Sequence, residues 1–395
     1  MVTESAQHMF TQLIDRCVEF KASDLHVSAG MHAFARVDGQ LRSITEEVIN
    51  DETMTAIAAS LMHEKQRQVF EDEQSLDLAY TASCGTPFRV NVFRERGKPA
   101  LALRKLEQEF RTMEELHLPL QMKEFAEMPH GLVLVTGPTG SGKSTTLATL
   151  IHLINCNRNY HIITIEDPVE YMHHNICSMV RQRELYTDVP TFADGIRDAL
   201  REDPDVILVG EMRDLETMRA AITASETGHL VFSTLHSGDA VGAIDRMTAM
   251  FPAEEQQSIR MQISTVLKGV IAQKLVPLAS GRGRVPVVEI IRSNNAVSNS
   301  IRRGEPQNIY TCIDAGAEDG MVSWDMSLAT LVSKRLVRKD DAILLCRNES
   351  VFESRLEMIG MQPEEEPVEA VLAGPEIAEA SPVKGRWSLR RRHND

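Results

Sequence analysis

The sequence predicts an α/β fold, with a mostly parallel sheet covered by helices and a smaller α+β unit in front of it. Three observations carry this reading. Strand-like apolar runs at 131–136, 161–166, 205–210 and 229–235 alternate with helical runs, the rhythm of βαβ units. The first of these runs opens directly into Gly137-Pro-Thr-Gly-Ser-Gly-Lys-Ser144, a phosphate-binding loop in its required context between strand and helix. Residues before 113 show short alternating runs instead of this rhythm.

In that first unit, Met9, Phe10, Leu13, Ile14, Cys17 and Val18 form an apolar helical stripe. Strand-like runs follow at Leu25–Val27, Phe34–Val37 and Leu76–Tyr80, and Asp38-Gly39 is a hairpin signal. Phe88–Phe93 alternates cleanly and can pair with Ala100–Leu106 across the turn 96–99. A charged connector, Glu107–His117, leads into the nucleotide unit. The expected units are 1–112, an α+β domain with linker; 113–360, the α/β domain; and 361–395, a disordered tail poor in large apolar residues. Past residue 250 the pattern reads as helical, apart from a strand at Val285–Ile291.

Composition narrows the function classes. The formal net charge of −15 disfavours a broad nucleic-acid-binding surface, so no nucleic acid partner is expected. No apolar run is long enough for a spanning helix, and the first residues lack the layout of a signal peptide, so the expected location is cytoplasmic. The six cysteines form no C-x-x-C pair, which gives no sign of a zinc or dithiol site.

The loop states its own chemistry. Gly137, Gly140 and Gly142 let backbone N–H groups, with those of Thr139 and Ser141, wrap phosphate oxygens around the bend that Pro138 helps to set. The helix that begins after it, through Thr145, aims its positive end at the same oxygens. Lys143 can neutralise the β- and γ-phosphates of a nucleoside triphosphate, and the Ser144 hydroxyl can ligate Mg²⁺.

Ligands of parallel sheets sit beyond the carboxyl ends of the strands, and this rule sorts the remaining polar residues. Glu211 ends the run Val206–Gly210 and is the candidate general base or Mg²⁺ supporter, the latter through water. Glu166 and Asp167 emerge where their strand ends. His236 ends the fourth strand and can sense the γ-phosphate or the attacking water. Asp205 and His229 open their strands, which topology reads as structural. Hydrolysis also calls for cations from another domain or subunit, and Arg89, Arg94, Arg96 and Arg104 are candidates.

Four runs occur in order: the phosphate loop, Thr164-Ile-Glu-Asp-Pro-Val-Glu170, Arg201–Thr217 with its Asp-Val-Ile-Leu-Val-Gly-Glu core, and Glu226-Thr-Gly-His-Leu-Val-Phe-Ser-Thr-Leu-His236. Together they resemble the Walker A, Asp-box, Walker B and His-box set of type II/IV secretion ATPases, and most of all the PilT/PilU group of type IV pilus retraction ATPases. Ala22–Gly30, Arg36–Gly39 and Phe251–Glu255 resemble that group too. The resemblance implies a RecA-like ATPase domain behind a PAS-like N-terminal domain. It implies ATP and Mg²⁺, a homo-hexamer at the cytoplasmic face of the inner membrane, and a pilus platform protein as partner. A paralogous retraction ATPase is a further implied partner. By the same resemblance Glu211 is the general base, His229 joins His236 as functional, and Arg89 and Arg104 serve the nucleotide site.

One stretch departs from the pattern. Retraction ATPases carry Ala-Ile-Arg-Asn-Leu-Ile-Arg-Glu, where this chain has Ala296-Val-Ser-Asn-Ser-Ile-Arg-Arg303. Asp340–Ser350 looks more like PilU. Extension or type II secretion ATPases, and a weakly hydrolysing accessory paralogue, are the alternatives at this stage.

Overall fold

A computed structural model describes residues 2–37, 39–106 and 109–360. The expected tail at 361–395, and Asp38 of the hairpin signal, lie outside the described residues. The described strands form two sheets. The N-terminal sheet contains β1 (Asp24–Ser28), β2 (Phe34–Val37), β3 (Gln40–Ser43), β4 (Ser75–Thr81), β5 (Pro87–Glu95) and β6 (Lys98–Lys105). The second contains β7 (Gly131–Thr136), β8 (His161–Glu166), β9 (Met179–Glu184), β10 (Val206–Val209), β11 (Leu230–Leu235), β12 (Leu267–Pro277) and β13 (Arg284–Arg292).

The N-terminal sheet is antiparallel, in the order β3-β2-β1-β6-β5-β4. The helix Val2–Glu19 buries Phe10, Leu13, Ile14 and Cys17, the stripe read from the sequence, against this unit's core. Two further helices, Asp51–Leu61 and Glu64–Glu73, complete it. The turn between β5 and β6 puts Arg96 and Gly97 at positive φ (51° and 79°), so the strands pair directly across it.

The second sheet runs β13-β12-β7-β11-β10-β8-β9, with β7 through β12 parallel to their neighbours and β13 antiparallel. Its central strands are buried on both faces, as parallel strands between helical layers must be. Side chains alternate between two cores. Leu132 and Leu134 join the core formed with the helices Leu215–Glu226, Ala240–Ala249 and Gln256–Val266. Val133 and Val135 face the opposite core with Leu147, Leu150, Ile151 and Ile154 of the helix Lys143–Asn157.

Two strands differ from the sequence expectation. The region past 250 read as helical contains β12, the direct neighbour of β7. Lys268, Gly269, Gln273 and Lys274 break its apolar run. Gly269 is required because a Cβ there would lie 2.2 Å from a ring carbon of Phe125. The other missed strand is β9, an edge strand whose Met-Val-Arg-Gln-Arg-Glu sequence carries little strand signal. Beyond β13, the helices Asn295–Arg303, Gln307–Ala315, Trp324–Ser333, Lys339–Ile343 and Glu349–Gly360 cover the β12–β13 side. Among the described residues no helix is long and apolar enough to cross a membrane.

Candidate active site

The loop after β7 is shaped by close backbone approaches. Gly137 has φ 151°, and a Cβ there would lie 2.2 Å from the Gln273 carbonyl oxygen. Gly142 has φ 87° and caps the helix Lys143–Asn157, where a Cβ would meet the Gln273 side chain at 2.8 Å. Gln273, on β12 and nearly fully buried, clamps the loop from the side. Its Nε2 donates to the Ser141 carbonyl at 2.7 Å, and its Oε1 accepts from the Thr146 hydroxyl at 2.8 Å. The Lys143 ammonium donates to the carbonyls of Gly137 (2.9 Å) and Pro138 (3.1 Å). Burial lowers its pKa, against the raising influence of Glu211 and Glu170.

One cleft gathers the residues at the carboxyl ends of the strands. Thr139, Gly140, Lys143, Ser144, Glu166, Asp167, Glu211 and His236 line it. Glu211 is largely buried; its Oε1 lies 2.5 Å from Arg213 Nε and its Oε2 3.7 Å from His236 Nε2. Burial first, then nearby Lys143, lowers the pKa of the His236 imidazole below its ordinary value. That leaves it neutral at pH 7, able to donate from one nitrogen and accept at the other. Glu166 accepts from the Thr164 hydroxyl at 2.6 Å and from Gln182 at 3.1 Å. Burial outweighs those bonds and pushes its carboxyl up to about 7.

The other expected residues divide. Arg89, on β5, reaches the same cleft within one chain, held by Asp77 at 2.9 Å and Glu170 at 3.5 Å. Arg104 stands directly opposite Arg89 in the β5–β6 register, but pairs with Asp24 at 2.9 Å and lies outside the cleft. Thr145 lies beside Tyr171, with 2.9 Å between their oxygens. His229 lies at the amino end of β11, away from the cleft, with Nδ1 3.0 Å from the Ala224 carbonyl. Asp205 accepts from the His161 N–H at 2.8 Å, the structural role that topology predicts.

Sequence reasoning missed Gln273, Arg213 and Tyr171. Arg213 lies inside the run Arg201–Thr217 and Tyr171 directly follows Thr164–Glu170, and those positions were the available signal. Gln273 had none, because its strand was not recognised.

The site fits a nucleoside triphosphate with Mg²⁺. Ser141 Oγ is buried in the loop with no hydrogen-bond partner among the described residues, a hydroxyl left to donate to a phosphate oxygen. Ser144 and Glu211 line the same cleft and are the oxygen donors that a hard cation, completed by phosphate and water, would use.

A phosphate loop at the head of a parallel sheet, with a glutamate and a histidine at the ends of nearby strands facing it, defines a P-loop ATPase. The family described as type II/IV secretion system protein matches residues 3–318. The chain belongs to this family of ATP-hydrolysing enzymes and, within it, to the PilT group. It is 43% identical to the type IV pilus retraction ATPase PilT of Pseudomonas aeruginosa, over 84% of this chain and 96% of that one. It is 36% identical to the type IV pilus ATPase PilU of the same organism, over 85% of this chain and 87% of that one. A solved structure of the pilus retraction motor PilT with bound ADP superposes with a TM-score of 0.78 at 40% identity, covering 87% of this chain and 98% of that one.

Proposed function

We propose that this chain powers type IV pilus retraction by hydrolysing ATP, driving pilus disassembly and twitching motility. The observation that carries it is the convergence of Lys143, Glu211 and His236 on one cleft, in a chain that spans nearly all of a PilT relative. Lys143 and the loop N–H groups bind the β- and γ-phosphates. Glu211 takes a proton from the attacking water as its oxygen bonds to the γ-phosphorus and the bond to the bridging oxygen breaks, releasing ADP. His236, 3.7 Å from Glu211, orients that water. Ser144, with Glu211 through water, would hold Mg²⁺, which neutralises charge on the phosphates. Glu166 holds a proton near neutrality beside the same cleft.

The work is done by a cytoplasmic homo-hexamer docked at the inner membrane on the pilus platform protein. Arg89 serves its own chain's cleft. Arg104, largely exposed, serves that of a neighbouring subunit, as does His229. The units 1–112 and 113–360 act as the PAS-like and RecA-like domains of each subunit.

A second reading is an accessory ATPase acting beside a paralogous retraction ATPase. The helix Asn295–Arg303 favours it. Where the retraction motif has Arg and Leu, Ser298 and Ser300 turn to local partners, Ser293 Oγ at 3.2 Å and the Ala296 carbonyl at 3.0 Å. A deletion strain scored for surface pili and twitching separates the readings. Retraction predicts excess pili without twitching. Loss of pili would overturn it in favour of extension, and normal twitching would favour the accessory role.

A further inference from the structure

The segment 235–240 carries His236 from the end of β11 to the next helix, and two residues in one cross-strand row hold it. The register aligns Leu235 with Thr136, Thr136 with Ala272, and Ala272 with Glu289. Paired residues point to the same face, so Thr136 and Glu289 face the segment together. The Ser237 N–H donates to the Thr136 hydroxyl at 2.9 Å, and the Ala240 N–H donates to Glu289 at 3.1 Å.

Glu289 is only 1% exposed, a position where a carboxylate needs a partner. Arg347 supplies it, reaching Glu289 at 2.5 Å and 3.0 Å. The same guanidinium stacks 5.1 Å above the Tyr310 ring and lies 3.9 Å from Asp239. Tyr310 donates to Asp239 at 3.0 Å, and Asp239 caps the helix Ala240–Ala249 by accepting from the Gly242 N–H. Arg347 is itself fixed, because Asp325 accepts its backbone N–H at 2.8 Å. Tyr310 lies on the helix Gln307–Ala315, the next element after Asn295–Arg303, where the sequence departs from the retraction motif.

We propose that Arg347 and Tyr310 are positioning residues for ATP hydrolysis: through Glu289 and Asp239, the C-terminal helices set where the His236 segment stands. This rests on the proposed role of His236 in the cleft. It makes the helices past β13 part of the catalytic apparatus, although none of them lines the cleft. Displacement of those helices by a docked partner then reaches the hydrolysis step through a continuous set of charge-assisted and hydroxyl hydrogen bonds.

The test uses the full-length chain, with wild-type ATPase activity as reference. Arg347→Met keeps the stem and removes the guanidinium; Tyr310→Phe removes only the hydroxyl and strands no buried charge. Each is expected to lower kcat, by about 2- to 30-fold, the range of coupling effects carried through packed networks. Affinity for a non-hydrolysable ATP analogue stays at the wild-type value, because the phosphate loop is untouched. Arg347→Lys recovers part of the rate, and the Arg347→Met, Tyr310→Phe double variant loses less than the product of the single losses. Wild-type kcat in Tyr310→Phe, with Arg347→Met either fully active or unfolded, overturns the proposal. A fall in analogue affinity that accounts for the whole rate loss also overturns it. A wild-type chain without turnover would instead overturn the reading of the cleft.

Discussion

The two ends of the parallel sheet carry similar residue types and use them differently. At the carboxyl ends, Glu166, Glu211 and His236 face a cleft shared with Lys143 and Ser144. At the amino ends, Asp205 and His229 engage backbone groups of their own chain, the His161 N–H and the Ala224 carbonyl. The strand supplies the distinction. Every parallel strand delivers its last residue to the same side, so a carboxylate acquires a chemical role or a structural one according to which end it occupies.

Lys143→Ala tests the functional end with the largest effect. Loss of the ammonium removes the cation beside the phosphates, and nucleotide binding is expected to vanish in a titration with a fluorescent ATP analogue. Glu211→Gln should retain that binding and lose about 10²–10⁴-fold in turnover, the usual worth of a general base. Retained turnover in a steady-state ATPase assay would remove Glu211 from the role.

The histidines sharpen the contrast. His236→Ala is expected to lower turnover more than His229→Ala, because the His229 ring is engaged outside its own chain's cleft. Equal losses in the assembled protein would mean that the proposed role of His229 on a neighbour's site weighs as much as that of His236 in its own cleft.

The smallest effect is on stability. Glu166 has its carboxyl raised from 4.5 to about 7, mainly by burial. Between those values the native state keeps a proton that the unfolded chain has released. This contribution to stability is complete below pH 4.5 and is lost as the pH rises to about 7. Glu166→Gln, neutral throughout, should flatten that part of a plot of Tm against pH. An unchanged slope would assign the pH dependence to other groups.

Much of the cleft was legible because its parts are local. The phosphate loop and the runs ending in Glu166, Glu211 and His236 each lie within a few consecutive residues, and strand direction then places them. The rest depends on pairing between distant segments. Gln273 clamps Ser141 across 132 positions, from a strand whose lysines, glycine and glutamine obscured its pattern. Arg89 reaches the cleft because β5 packs beside Glu170, an approach that no motif records. Arg347 meets Glu289 across 58 positions, and neither belongs to a motif that names the other.

The seven-stranded sheet ends in two outermost strands, and an open strand edge is a template on which another chain can aggregate. At one margin the chain covers itself: Ile290 of β13 exchanges backbone hydrogen bonds with Val322, and the Val288 N–H donates to the Ser327 hydroxyl. At the other, β9 sets Arg181, Arg183 and Glu184 along its edge. The sheet is thereby guarded by the chain's own cover at one margin and by charged side chains at the other. The weak strand signal of β9 is thus the mark of a margin built to repel unwanted partners.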